Sequence, residues 1–115
     1  MSAMPPLDAL SLGDARRHVG ARTLKPSDYA AWLVAHARGG EDTLRAWAHL
    51  ELARALAAAA RADLAHPTAQ GPLHGMPVGI KDIIATADLP TQYGSPAFAG
   101  HREPRDAAVV ERLTA

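Results

Sequence analysis

The segment Gly71–Ile84 has the sequence GPLHGMPVGIKDII, and the rest of the chain is interpreted around it. Three glycines and two prolines divide it, which is typical of a tight turn before a new element begins. Its valine and isoleucines are residue types that favour an extended strand. We therefore predict a loop over 67–75 that leads into a short strand over 76–84.

Lys81 lies near the end of this predicted strand. In an extended chain Gly79 and Lys81 share one face, and Gly79 leaves open space beside the amine. The chain has only two lysines but ten arginines. Arginine stays charged at any ordinary pH, whereas a desolvated lysine can lose its proton and act as a base. This placement favours proton-transfer chemistry near the carboxyl end of a buried strand. The alternative is a strand-end lysine that reaches solvent or pairs with Asp82.

The bulk composition excludes several classes of protein. The 115 residues fit one domain, and 12 basic and 12 acidic side chains give no electrostatic case for nucleic acid or an anionic membrane. The absence of cysteine excludes disulfides and thiol catalysis. We expect no secretory signal at the start, and apolar runs such as Ala55–Ala60 are far shorter than the ~20 residues of a membrane span. We expect a soluble, cytoplasmic protein.

Helical patterns precede the Gly71–Ile84 segment. A short helix is predicted over 10–19, and Pro26 is well placed to begin a second helix, which the sequence Arg38-Gly39-Gly40 should end. Two apolar stripes have helical spacing, one in the second helix and one in an alanine-rich helix predicted over 50–65. They consist of Tyr29, Trp32, Leu33 and His36, and of Leu52, Leu56, Ala60 and Leu64. Asp106 is predicted to be the N-cap of a last helix.

This order of elements predicts an α/β fold that is incomplete in the chain. A central strand over 76–84 needs hydrogen-bonded neighbours on both edges and cover on both faces. Nothing else in the 115 residues is a convincing strand partner. The sequence is therefore interpreted as the front end of a larger α/β protein.

Six histidines give no metal-binding pattern: His18, His36, His49, His66, His74 and His101. No two have the i, i+4 spacing on one helix, and no carboxylate completes a zinc pattern. We expect no metal and no other cofactor. His74, in the glycine-rich loop, is the best candidate for a functional histidine, although packing of the loop is the simpler explanation.

Two other candidate sites are weak. A phosphate-binding loop needs glycine directly before its lysine and serine or threonine directly after it, whereas Ile80 and Asp82 flank Lys81. Ser95 lies in a Gly-Ser-Pro sequence that favours a turn, and no His or Asp stands at a spacing that would make it a nucleophile. We interpret Ser95 as structural.

Three motifs, in this order and at these separations, resemble the amino-terminal part of an amidase signature family enzyme. They are Gly75-Met76-Pro77-Val78-Gly79-Ile80-Lys81-Asp82, Gly94-Ser95, and Asp106-Ala107-Ala108-Val109-Val110. The lead-in Pro72-Leu73-His74-Gly75 and the preceding alanine-rich helix add to the likeness. The resemblance runs from about residue 9 onward and is densest at 71–110.

The resemblance implies hydrolysis or transfer of the acyl group of an amide by a Ser–cis-Ser–Lys triad, on a large α/β/α fold around a mixed sheet. Lys81 matches the catalytic lysine and would exchange protons with the bridging serine. Asp82 is interpreted as a structural partner of nearby groups. Residues 1–115 would then be an amino-terminal fragment of one amidase domain: a helical lead-in (about 9–66), the loop and lysine strand (about 71–84) and a helix from about 106. The partner would be a small-molecule amide, with no nucleic acid and no membrane.

The sequence departs from the family in one respect. No Gly-Gly-Ser-type run, which carries both serines in the family, occurs in residues 1–115. The alternatives are a non-catalytic module or degenerate remnant whose helical faces at 29–36 and 52–64 bind another protein chain, and, within the family, a glutamyl-tRNA amidotransferase A-type subunit. The neutral charge gives no support for the RNA contact that the second requires. The amide substrate and the oligomeric state stay open.

Purified residues 1–115 should hydrolyse no amide and should melt without cooperativity, because the serine nucleophile is absent and the predicted strand has no neighbours. An ammonia-release assay and a thermal melt test this prediction. Turnover that disappears when Lys81 is replaced would contradict it.

Overall fold

The computed structural model describes residues 5–115, which form two compact units. The first unit extends up to Arg45 and also includes Glu51–Pro77. The second unit consists of Ala46–Leu50 and Val78–Ala115.

Three helices build the first unit: α1 (Leu12–Gly20), α2 (Pro26–Leu44) and α3 (Leu52–Asp63). Short 3-10 turns stand at Leu7–Ala9 and Pro67–Ala69. α2 packs against α3. The backbone N–H of Ser27 also donates to the carboxylate of Asp63 at 3.0 Å, which ties the start of α2 to the end of α3.

Helix α1 begins at a capping box. The Ser11 hydroxyl accepts the backbone N–H of Asp14, and the Asp14 carboxylate accepts the backbone N–H of Ser11, so two free donors of the first turn are satisfied. The hydrogen bonds from Ser11 hold the pKa of Asp14 below its ordinary value. Asp14 also pairs with Arg17 one turn further along. The helix predicted over 10–19 is therefore present, with its ends shifted by one or two residues.

Helix α2 begins at Pro26 as predicted, but the glycine pair does not end it. The helix continues through Gly39 and Gly40 to Leu44 and stops at Arg45, whose φ of 46° is left-handed and whose N–H donates to the Glu41 carbonyl. Glycine costs roughly 1 kcal/mol in a helix interior. Packing of α2 against α3 can outweigh this cost in free energy.

The core of the first unit joins α1 to α2. It contains Ala15, Val19, Leu24 and Tyr29, flanked by Leu7, Leu10, Leu33 and Met76. Along the stripe predicted on α2, Tyr29 is buried, Trp32 and Leu33 are half-buried, and exposed His36 stacks on Trp32 at 5.1 Å. The α2 stripe is confirmed as one face with a polar end.

The ridge predicted on α3 is not a buried face. Leu56 is 37% exposed, and Leu64, the C-cap residue, is 87% exposed. The half-buried positions of this helix are Leu52, Ala59 and Ala62. Small alanine side chains allow close approach of a neighbouring helix. The partly buried face of α3 therefore includes Ala59 and Ala62 and not Leu56 and Leu64, which the leucine spacing had indicated.

The strand predicted over 76–84 is not formed, and no residue in the range 5–115 is in a strand. The Ile84 N–H closes a turn on the Lys81 carbonyl. Val78 and Ile83 remain 51% and 55% exposed. A strand exists only as part of a ladder, and no second extended segment among the described residues pairs with this one. The described chain is helical, and the α/β architecture stays a prediction.

The last helix, α4 (Ala108–Thr114), begins one residue later than an N-cap at Asp106 would place it, and Asp106 does not cap it. The N-cap is Ala107, without a side-chain cap, and the Asp106 carboxylate accepts the Ala87 N–H at 2.8 Å instead. The Ala107 N–H donates to the Ala85 carbonyl at 2.9 Å. Asp106 thus fastens a loop of the second unit. Among the helices that the structure describes, none is long and apolar enough to cross a bilayer.

Replacing Gly75 by alanine should destabilise the first unit. Gly75 has a φ of +72°, and an added Cβ would lie 2.6 Å from Cγ of Pro26, the residue that begins α2. The left-handed backbone costs about 1 kcal/mol for alanine and overpacking adds about 1–3 kcal/mol, so we expect a loss of about 2–4 kcal/mol. Urea unfolding of the complete gene product measures this change.

Gly39→Ala is the matched control. Gly39 lies inside α2, and nothing stands within 4 Å of an added Cβ. This variant should gain up to about 1 kcal/mol from helix propensity. Equal unfolding midpoints for the two variants would contradict the close approach of Gly75 to Pro26.

Candidate functional site

Lys81 lies in the second unit, at the first position of the turn closed by Ile84. It is exposed, and its side chain makes no hydrogen bond or ion pair within residues 5–115. The buried strand end predicted for it is therefore not seen. The open space predicted at Gly79 is partly filled, because a Cβ there would lie 3.4 Å from the Trp47 ring.

Asp82, the next residue, is the anchor of this region. Its carboxylate accepts the backbone N–H of Gln92 at 2.8 Å and that of Gly94 at 3.3 Å. Its main-chain carbonyl accepts the N–H of Tyr93 at 2.9 Å. One residue thus binds three successive amides of a loop ten residues away. The prediction that Asp82 is a structural partner of nearby groups is confirmed.

The loop that Asp82 binds is a tight turn over Gln92–Ser95. The Ser95 N–H donates to the Gln92 carbonyl at 3.0 Å, and φ is +56° at Tyr93 and +68° at Gly94. Two consecutive positive φ values with this hydrogen bond are the pattern of a type I′ turn. Glycine suits the second position, whereas a tyrosine at the first costs on the order of 1–2 kcal/mol.

Ser95 has the structural role that its sequence context predicts. Its hydroxyl accepts the backbone N–H of Ala97 at 3.3 Å, at the start of a 3-10 turn over Pro96–Phe98. No carboxylate or imidazole hydrogen-bonds to that hydroxyl among residues 5–115.

Beside this turn lies a polar and aromatic cluster that sequence reasoning missed. The Tyr93 hydroxyl donates to Glu103 Oε1 at 2.6 Å, and His101 Nε2 donates to the same oxygen at 3.0 Å. The Tyr93 ring meets Phe98 edge to face with 5.1 Å between centroids. The hydrogen bonds from Tyr93 and His101 lower the pKa of Glu103, and the hydrogen bond to Glu103 raises the pKa of Tyr93.

Two further hydrogen bonds hold the same loop. The N–H of Thr91, which is almost completely buried, donates to the His101 carbonyl at 2.8 Å. The Gln92 side-chain oxygen accepts the Gly100 N–H at 2.6 Å. These contacts join residues eight to ten positions apart, so no local sequence pattern would have indicated them.

The histidines form no common site. The imidazole of His74 donates from Nε2 to the Ala62 carbonyl at 2.9 Å, which confirms the packing explanation. Within residues 5–115 no three His, Cys, Asp or Glu side chains converge as metal ligands. His74 also lines a cleft of about 460 Å³ in the first unit, together with Arg16 and Arg17 of α1, and Lys81 is not among its lining residues.

Comparison with known proteins assigns the family. The family model described as Amidase matches residues 32–115. The chain is 38% identical over 114 residues to the A subunit of the glutamyl-tRNA(Gln) amidotransferase of Chloroflexus aurantiacus, covering 97% of this chain and 23% of the relative. It is 34% identical over 122 residues to putative amidase AmiD of Mycobacterium tuberculosis, covering 99% of this chain and 26% of the relative. The chain belongs to the amidase signature family.

The chain spans about a quarter of the length of these relatives. A third relative, the A subunit of the glutamyl-tRNA(Gln) amidotransferase of Rhodopirellula baltica, is 40% identical over 82 residues, which cover 70% of this chain and 16% of the relative. No solved structure matches the chain.

Replacing Asp82 by asparagine should release the 92–94 loop. One amide oxygen can still accept the Gln92 N–H, but the NH₂ group then faces the Gly94 N–H, donor against donor. Because Gly94 is exposed, water can still solvate its N–H, and the loss is that of a hydrogen bond to a charged acceptor, about 1.5–3 kcal/mol. Urea unfolding gives the change in stability, and faster amide exchange at residues 92–94 gives its location.

Asp42→Asn serves as the control, because Asp42 is exposed in α2 and its side chain has no hydrogen bond or ion pair with the described residues. It should change stability by less than about 0.5 kcal/mol. Equal effects of the two substitutions would show that the Asp82 contacts do not hold the loop.

Proposed function

We propose that this chain carries the catalytic lysine of an enzyme that cleaves or transfers the acyl group of carboxylic amides, and that Lys81 is this lysine. The observation that carries the proposal is the family match over residues 32–115, which includes the Gly75–Asp82 motif. The names of the relatives, a putative amidase and two amidotransferase chains, agree with this class of reaction.

In the proposed mechanism the serine nucleophile attacks the amide carbonyl carbon, and its proton passes through the bridging serine to Nζ of Lys81. When the C–N bond breaks, the proton returns along the same path to the leaving nitrogen, and the acyl group stays on the serine. Water then releases the acid, or another amine accepts the acyl group. Lys81 must be neutral when it accepts the proton, which requires a desolvated site.

The surroundings of Lys81 support a role for further polypeptide. In the proposed α/β/α domain, segment 76–84 is a strand of the mixed sheet. Neighbouring strands would cover the exposed side chains of Val78 and Ile83 and would desolvate the amine. The two serines would come from the same additional polypeptide, since no Gly-Gly-Ser-type run occurs in residues 1–115. On this proposal the 115 residues alone are inactive, and they bind a small-molecule amide only as part of the larger domain.

A second candidate within the family is the A-type subunit of a glutamyl-tRNA amidotransferase. It is favoured by the relatives of that name, two of which are 38% and 40% identical to the chain. In that case glutamine would be the amide that is cleaved and its ammonia would be transferred. Ammonia release from glutamine but not from benzamide would support this candidate, and the reverse would support a simple amidase.

Replacing Lys81 by arginine should abolish catalysis, because a guanidinium keeps its proton and cannot act as a base. We expect kcat to fall about 10²–10⁴-fold in the complete gene product, the range for loss of general acid–base catalysis. Ammonia release from glutamine and benzamide measures this change. A fluorophosphonate gives a substrate-independent measure, because the serine oxygen bonds to phosphorus, fluoride leaves and the base takes the proton.

Lys25→Arg is the matched control, since Lys25 is the other lysine of the chain and is exposed before α2. It should hydrolyse amides and react with fluorophosphonate as the wild type does. A Lys81→Arg enzyme with wild-type rates in both assays would overturn the proposed function.

A further inference from the structure

Tyr93 is an unfavourable residue for the turn in which it lies. The first central position of a type I′ turn needs positive φ, and Asn, Asp and Gly adopt such values far more readily than an aromatic residue. Tyr93 has a φ of +56° there. An observed outlier of this kind is a reason to look for a function.

The contacts of Tyr93 show what keeps it in this conformation. Its hydroxyl donates to Glu103 at 2.6 Å, and Glu103 is itself held by His101 at 3.0 Å. Its ring packs edge to face against Phe98. These side-chain contacts therefore stabilise a left-handed conformation that the backbone of a tyrosine does not favour.

The backbone of Tyr93 is hydrogen-bonded to Asp82, the residue next to the proposed catalytic lysine. The N–H of Tyr93 donates to the carbonyl of Asp82, and the amides on either side, those of Gln92 and Gly94, donate to the Asp82 carboxylate. Asp82 is bonded directly to Lys81, and the Lys81 carbonyl closes the turn with Ile84. A change in the turn at 92–95 thus changes the hydrogen bonds that fix the residue next to Lys81.

We propose that Tyr93 and Glu103 are positioning residues for Lys81, acting through the 92–94 amides and Asp82. This inference rests on the proposed function of Lys81. The hydrogen bond between Tyr93 and Glu103 holds the turn in its left-handed conformation, and the turn in that conformation presents three N–H groups to Asp82. Lys81 is thereby kept at one position relative to the serines.

The variant Tyr93→Asn tests whether Tyr93 acts through the conformation of the turn. Asn suits the left-handed conformation, so Tyr93→Asn should keep or raise the melting temperature. It removes the hydroxyl and the ring that are bound to Glu103 and Phe98. If Tyr93 acts on Lys81 by holding the turn in its left-handed conformation, Tyr93→Asn will keep most of the catalytic rate that Tyr93→Phe loses.

The experiment compares Tyr93→Phe, Tyr93→Asn, Glu103→Ala and Glu103→Gln in the complete gene product. We expect Tyr93→Phe and Glu103→Ala to lower kcat about tenfold with KM unchanged, and the rate of fluorophosphonate labelling to fall in parallel, whereas Tyr93→Asn should keep most of the wild-type rate. Glu103→Gln keeps an acceptor oxygen for the Tyr93 hydroxyl and should restore most of the rate. Tyr93→Phe combined with Glu103→Ala should lose no more than either alone, because both break one interaction.

Amide hydrogen exchange supplies a readout independent of activity. Exchange at residues 92–94 should become several-fold faster in Tyr93→Phe and Glu103→Ala and should stay at the wild-type rate in Glu103→Gln. Tyr29→Phe is the control: Tyr29 is the other tyrosine, it lies in the core of the first unit, and its hydroxyl has no hydrogen bond with the described residues.

Two outcomes would overturn the inference. One is wild-type kcat in Tyr93→Phe and Glu103→Ala while Lys81→Arg is inactive, whatever happens to exchange. The other is a lowered kcat with unchanged exchange at 92–94, because the effect would then not pass through the loop. Failure of the proposed function is distinct, since Lys81→Arg itself would then be fully active, and the positioning role would fall with it.

Discussion

The second unit depends on the way Asp82 satisfies three consecutive backbone amides. A tight turn exposes N–H groups that must find acceptors, and one carboxylate with its own carbonyl supplies all of them at Gln92, Tyr93 and Gly94. Hydrogen bonds to a charged acceptor are stronger than those between neutral groups. This arrangement orders a region that has little apolar core, since its buried residues are few and its regular structure is one short helix and one 3-10 turn.

The first unit is instead stabilised by apolar packing, in which the backbone of the glycine-rich loop lies directly against side chains of α1 and α2. Gly75 lies against Pro26 and Val19 with no room for a Cβ, so the glycine-rich loop comes directly onto the start of α2 and the end of α1. His74 fixes the same loop to the Ala62 carbonyl of α3. The glycine that begins the lysine motif therefore has a local steric cause, independent of any catalytic role of Lys81.

Much of the helical lead-in could be predicted, because it depends on local preferences. Pro26 at a first helical position and alanine in α3 act through backbone conformation over a few residues. The failures have a common cause. The Gly39-Gly40 pair was outweighed by packing of α2 on α3, and Asp106, a good N-cap by composition, found the Ala87 amide instead. In each case a contact distant in sequence overrode a preference of a fraction of a kcal/mol to about 1 kcal/mol.

The sequence by itself determined the family, the location of the lysine motif and the structural role of Asp82, because these depend on residue identity at fixed separations. Only the tertiary structure decided that Asp82 binds Gln92–Gly94 and that Tyr93 holds a left-handed turn against Glu103 and His101. It also decided that segment 76–84 forms no strand and leaves Val78 and Ile83 about half exposed. A strand and a hydrogen-bond network are properties of pairs of segments. Their formation depends on which partners the folded chain brings within reach, and single-segment patterns carry no information about that.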